Sequence, residues 1–221
     1  LIKRRAEHEP LQYITGNTPF VHATIKVNTH VLIPRLETEY MVELILDRFE
    51  DFNDFKVLDA ATGSGCIPIA LKMKRPSWDI EAFDISEQAL LLAVENAEIN
   101  ESAIRFYKHD LYSGSLPEHQ SFDLIISNPP YVLESEKESL DREVVEYEPH
   151  LALFTSNTNK VYESLFRLTD HHLNIGGFAY LEINASESEQ VEIFWKKERW
   201  KTQIEKDQEG RKRFLIIERL G

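Results

Sequence analysis

The stretch "VLDAATGSGCIPIAL" (residues 57–71) runs from an apolar strand, through two glycines, into a helix. Glycines at such a junction let a ligand approach the backbone, and the start of the helix offers free N–H groups. From residue 55 onward, strand and helix patterns alternate. Strands are expected at 56–60, 79–84, 104–110, 122–127 and 178–183, with helices at about 66–75, 86–99, 158–174 and 186–198. This alternation predicts an α/β fold with a mostly parallel sheet covered on both faces. Two further strands, 200–207 and 213–219, face each other across "QEGRK" and predict an antiparallel C-terminal strand. Upstream, residues 18–33 alternate apolar and polar as in a short β-hairpin. After Pro34, Met41, Val42, Leu44, Ile45 and Phe49 fall at helical spacing.

The chain has 221 residues, 42% of them hydrophobic, enough for one substantial core. A net charge of −13 argues against general affinity for nucleic acid phosphates. The single cysteine, Cys66, rules out an intrachain disulfide and fits a reducing, cytoplasmic setting. No apolar run approaches the roughly 20 residues that cross a bilayer. The first methionine is Met41, so the chain does not start at an initiator.

Asp84 ends the second strand of the alternation, 19 residues after Gly65, where an acidic side chain can hydrogen-bond both hydroxyls of a ribose. A dinucleotide fingerprint would place a third glycine at position 68, which is Pro68, and no phosphate-cradling GK[ST] is present. The D-x-x-x-G-x-G loop starting at Asp59 instead resembles the cofactor site of S-adenosylmethionine-dependent methyltransferases. That resemblance assigns Asp59, Ala61, Thr62, Gly63, Ser64, Gly65 and Asp84 to the cofactor. Asp110 and Leu111, ending the third strand, fall where such enzymes cradle the adenine.

The fourth strand stops on "SNPPYV" (127–132). Asn-Pro is a good turn starter. It also offers chemistry, because the Asn128 side-chain oxygen and the Pro129 carbonyl form a rigid pair of acceptors. They suit the two N–H bonds of a planar amino group, whose delocalised lone pair makes it a poor nucleophile. Aimed at a sulfonium methyl, such a nitrogen needs positioning more than a strong base. Tyr131 would stack on or wall in the planar group, and Pro130 would stiffen the turn. Adenine N6, guanine N2 and glutamine amide nitrogens all meet this description.

Further segments narrow the choice. "EPLQYITG" (9–16) with Arg5, "VLIPRLETE" (31–39), "YEPHLAL" (147–153), "LEI" (181–183) and "DQEGRKRF" (207–214) resemble, over nearly the whole chain, the PrmC/HemK N5-glutamine methyltransferases of peptide-chain release factors. The resemblance implies a Rossmann-like class I methyltransferase domain over 37–221 with a seven-stranded sheet. It also implies a β-hairpin over 17–36 and, over 1–16, the remnant of an N-terminal helical domain and its linker. It further implies S-adenosylmethionine as cofactor and class 1 release factors, at their Gly-Gly-Gln loop, as substrate. Asn128 and Pro129 become catalytic, with Pro130, Tyr131, Arg35 and Thr38 beside them in the substrate pocket and Asn128 also touching the cofactor. The resemblance also has Glu37 line the pocket with Arg35 and Thr38; all three could equally serve only to start a helix, with Glu37 favourable to its dipole. Three departures stand out: Ala61 and Asn184 replace commoner glycines, and 154–164 replaces a Gly-rich segment.

The eight histidines (His8, His22, His30, His109, His119, His150, His171 and His172) show no metal-ligand spacing, and no metal is expected. The adjacent His171 and His172 read as surface residues of a helix. Cys66 reads as a packing residue, and the acidic run 134–149 as a solvated helix or lid. The competing functions are a nucleic-acid methyltransferase acting on adenine N6 or guanine N2, and a non-catalytic binding module.

Overall fold

The computed structural model describes residues 1–114, 116 and 120–221. The chain opens with helices α1 (Ile2–Ala6) and α2 (Leu11–Thr15) and a hairpin of β1 (Asn17–Phe20) and β2 (Ala23–Lys26). Helix α3 (Leu36–Arg48) leads into the alternating part: β3 (Lys56–Ala60), α4 (Cys66–Lys74), β4 (Asp79–Asp84), α5 (Glu87–Ile99), β5 (Arg105–Lys108) and β6 (Phe122–Ser127). An excursion follows, comprising β7 (Val132–Leu133), α6 (Arg142–Tyr147), α7 (His150–Leu153) and β8 (Phe154–Thr155). The chain then returns through α8 (Thr158–His172), β9 (Leu173–Glu182), α9 (Ser188–Glu192), β10 (Trp200–Lys206) and β11 (Lys212–Arg219).

Seven strands form one sheet in the order β10-β11-β9-β6-β3-β4-β5, and β11 alone runs against the rest. Side chains alternate across it as a pleat requires. Val57, Leu124 and Ile126 enter one core with α3, α4 and the β1–β2 hairpin, while Leu58, Ile125, Ala179 and Leu181 enter the other. Helix α8 covers that second face through Val161, Leu165 and Leu168, a stripe at helical spacing, and Asn157 caps its first turn at Lys160 N. β3 lies between β4 and β6, so its connections depart to opposite sides. That leaves a crevice at the carboxyl ends of these strands, where open α/β sheets bind ligands.

Four expectations change. The hairpin ends at Lys26, and the alternating residues beyond it run as coil, because Val27, Val31 and Ile33 sink into the core without a pairing strand. β9 starts at Leu173, ahead of the expected 178, with Gly176 in the left-handed region and Gly177 packed where a Cβ would meet Asn174 O at 2.9 Å. The helix expected over 186–198 is three short pieces: a 3₁₀ turn at Ala185–Glu187, then α9, then a second 3₁₀ turn at Ile193–Trp195. His172 is a buried tie rather than a surface residue: its Nε2 accepts from Leu116 N and its Nδ1 lies 2.7 Å from Gln120 O. His119 lies outside the described residues.

Candidate active site

The glycine loop turns through three left-handed residues, Ala61 (φ 61°), Gly63 (φ 55°) and Gly65 (φ 79°). At Gly65 a Cβ would also sit 3.1 Å from that of Ala93, so helix α5 closes on the loop only because the side chain is missing. Three ties hold the loop. Thr62 N donates to Phe83 O at 3.0 Å, and Gly63 N donates to Asp84 Oδ2 at 2.8 Å. Asn96, fully buried on α5, donates to Ser64 O and exchanges two bonds with the Lys26 backbone, so the hairpin, the loop and α5 share one side chain.

Asp84 Oδ1 accepts from Ser86 N, and burial raises the Asp84 carboxyl despite these bonds. Asp110 accepts from Tyr112 N at 2.9 Å and starts the turn that carries Leu111. Asp59 lies fully buried under the loop, and burial pushes its carboxyl to about 8. Among the described residues no partner at hydrogen-bond geometry meets either of its oxygens or Thr62 Oγ1, though the neighbouring Thr62 hydroxyl partly offsets the effect of burial. Cys66 is buried beside them, its thiol pushed by burial to about 12, a packing residue rather than a nucleophile.

A cavity of about 260 Å³ opens at the crevice. Ala61, Thr62, Gly63, Ser64, Asp84, Asp110 and Leu111 line one side, and Asn128, Pro130, Arg35 and Thr38 line another. Asp59, Gly65, Pro129 and Tyr131 are not part of that lining; Gly65 and Pro129 adjoin residues that are.

Asn128 follows the last residue of β6, and its Nδ2 donates to Thr38 Oγ1 at 2.9 Å. Thr38 in turn donates to Glu182 Oε2 at 2.7 Å. The Asn128 oxygen is therefore left as a free acceptor. Thr38 is placed by the first turn of α3, which begins after the extended residue Arg35 (φ −99°, ψ 151°). Tyr131 points its hydroxyl away from the cavity into Glu182 Oε1, at 2.8 Å. Arg35 gives its Nη2 to Glu148 Oε1 at 2.7 Å, and Glu148 Oε2 also accepts from Ile33 N. Glu148 is 4% exposed, so the acidic run 134–149 ends in a buried anchor. This anchor holds the wall formed by 149–152 against the strap 29–35.

Comparison with known proteins follows the same line. Residues 10–153 match the family model of the methyltransferase small domain. The chain is 41% identical to the release factor glutamine methyltransferase of Leptospira interrogans serogroup Icterohaemorrhagiae serovar Lai (strain 56601), covering 99% of this chain and 78% of that protein. It is 42% identical to the protein of the same name from Lactococcus lactis subsp. lactis (strain IL1403), covering 87% of this chain and 70% of that one. The chain belongs to the release factor glutamine methyltransferase family. Solved structures give the same fold at lower identity. The ribosomal protein L11 methylase of Lactobacillus delbrueckii subsp. bulgaricus has a TM-score of 0.60 at 23% identity, covering 84% of this chain and 79% of that one. The 16S rRNA N2 G1207 methyltransferase of T. thermophilus, in complex with AdoMet and guanosine, has a TM-score of 0.63 at 15% identity, covering 93% of this chain and 50% of that one.

As a member of this family the chain is an S-adenosylmethionine-dependent methyltransferase. The site fits that cofactor: left-handed glycines clear the backbone, and Asp84 stands at the end of β4 in the cavity lining. Glu148, Glu182 and Asn96 went unread in the sequence. Asn96 and Glu182 are polar residues at positions that the neighbouring apolar pattern marks as buried, as in "YLEI" (180–183), and that mismatch was the available signal; Glu148 carries none.

Proposed function

We propose that this chain transfers a methyl group from S-adenosylmethionine to the side-chain amide nitrogen of a glutamine in peptide-chain release factors, at the Gly-Gly-Gln motif of class 1 factors. The observation that carries the reading is Asn128, whose amino group is spent on Thr38 and whose oxygen is left as an acceptor at the cavity that the glycine loop also lines. The names of the relatives point to the same substrate. When bound, S-adenosylmethionine supplies a methyl on a positively charged sulfur.

The chain's own residues do the rest. Asn128 Oδ1 and the Pro129 carbonyl accept the two N–H bonds of the glutamine amide and fix the nitrogen in one orientation. As nitrogen gives up its lone pair, its N–H bonds acidify and these acceptors gain strength, so they favour the transition state over the bound substrate. One proton then leaves to water. Arg35 and Thr38 shape the wall on the substrate side, and Asp84 and the glycine loop hold the nucleoside end. A cytoplasmic setting goes with such a substrate. No described helix is long and apolar enough to cross a membrane.

Mass spectrometry of a release factor incubated with this protein and S-adenosylmethionine tests the reading. A gain of one methyl on the loop glutamine is expected, absent with Asn128→Ala and absent when that glutamine is replaced. No methyl gain, under conditions where the cofactor binds, overturns it.

A further inference from the structure

The proposed function leaves one cluster unused. Glu182, at the end of β9, is 1% exposed, and both of its oxygens accept a hydroxyl: Thr38 at 2.7 Å and Tyr131 at 2.8 Å. Tyr131 Oη lies 3.5 Å from Arg213 Nη1, and Arg213 Nε donates to Asp207 Oδ2 at 3.3 Å. Asp207 Oδ1 accepts from the turn N–H groups of Glu209 and Arg211, and Gly210 closes that turn at φ 82°. The D-x-x-G-x-x-R segment of the C-terminal hairpin is thus the far end of a chain of bonds that starts at Asn128.

Burial raises the Glu182 carboxyl, and the hydroxyls of Thr38 and Tyr131 and the charge of Arg213 oppose that rise. A threonine hydroxyl has one proton. With Glu182 ionised it only accepts, so the Thr38 proton is committed to it and the Thr38 oxygen must accept. Of the two ends of the Asn128 amide, only the amino end can then face Thr38. The oxygen end is left for the substrate. We infer that Glu182 is a positioning residue for methyl transfer, acting through Thr38 to set which end of the Asn128 amide meets the glutamine, with Arg213 holding Tyr131 as the second donor to Glu182.

This inference rests on the proposed function for its kinetic test but not for its structural one. In Glu182→Gln, Arg213 keeps Tyr131 donating, so the glutamine oxygen stays with Tyr131 and its amino group turns to Thr38. Thr38 then donates to Asn128, whose amino group faces the substrate amide, donor against donor.

The first readout is the Asn128 side-chain amide, identified by nuclear magnetic resonance through its loss in Asn128→Asp. In the wild type one of its two protons is held by Thr38 and exchanges slowly with water. In Glu182→Gln and in Thr38→Val both exchange freely. The second readout is kinetic. For Glu182→Gln, kcat on a release factor is expected to fall about 10- to 100-fold, the range of a hydrogen bond to a charged group. The Kd for S-adenosylmethionine should stay within about two-fold, because no nucleoside-side residue changes. In a Thr38→Val background, Glu182→Gln is expected to cost nothing more, since its effect passes through the missing hydroxyl. A purely structural Glu182 would give additive losses and an unchanged Asn128 amide, and either result overturns the inference. If the wild type methylates no release factor, the proposed function fails while the amide exchange still decides the positioning role.

Discussion

Ala61 stands in the glycine loop at φ 61°, a region that L-residues with a Cβ avoid. Replacing it by glycine sets two effects against each other. Relief of the left-handed conformation is worth roughly 1–2 kcal/mol, while the extra freedom of glycine in the unfolded chain costs roughly 0.4–1 kcal/mol. Ala61 is only partly buried, so the lost methyl contact takes back a few tenths of a kcal/mol at most. The balance is a stabilisation of about 0.5 kcal/mol, which for a chain of this length raises Tm by about 1–2 °C. A matched control is Ala103→Gly, in an exposed coil position with ordinary φ, where only the unfolded-state cost applies. It should lose about 0.4–1 kcal/mol. Differential scanning calorimetry of both variants beside the wild type reads the contrast directly. If Ala61→Gly melts as far below the wild type as Ala103→Gly does, the loop is not strained at Ala61 and the reasoning fails.

Other perturbations test the rest of the site. The Asp59 carboxyl titrates near 8 in the fold and at 3.8 when unconstrained. Between those values the folded state holds a proton that the unfolded chain has lost, so stability falls as pH rises through that window and levels off above about 8. Urea unfolding should show the wild type weakening by roughly 3 kcal/mol more than Asp59→Asn between pH 6 and pH 9; parallel profiles would reject the assignment. Glu148→Ala leaves Ile33 N unsatisfied and Arg35 unpaired, which should cost about 2–4 kcal/mol by denaturant titration. Asn96→Ala removes the bonds to Ser64 and Lys26. Isothermal titration should find S-adenosylmethionine bound about 10-fold or more weakly, because the loop must then be ordered at the cofactor's expense; unchanged affinity would show that the loop holds its shape alone.

The strands that carry the site were legible because their signal is local. Val57 to Ala60 and Phe122 to Ser127 are short apolar runs, each ended by glycine or proline punctuation. What escaped depended on partners far away in the chain. Val31 and Ile33 alternate like a strand, yet no strand lies beside them, and burial in the core alone explains the spacing. β9 begins ahead of the expected strand and carries Gly176 and Gly177 past Asp123 of the neighbouring β6. In the site, Asn128 and the glycine loop announced themselves by residue type. Glu182 and Glu148 did not, because an acidic residue carries no sign of whether a threonine, an arginine or water will meet it. Tyr131 shows the same dependence: its hydroxyl is tied to Glu182, 51 positions away and outside its own motif.

The bonds that orient Asn128 reach far along the chain: Thr38 and Glu182 are 144 positions apart, and Tyr131 and Arg213 are 82 apart. The residues that hold the nucleoside end are close in sequence, but the bonds that orient Asn128 close only when β9 and the C-terminal hairpin have joined the sheet. Because a domain folds as a unit, the C-terminal end of the chain decides how a side chain near its middle is aimed.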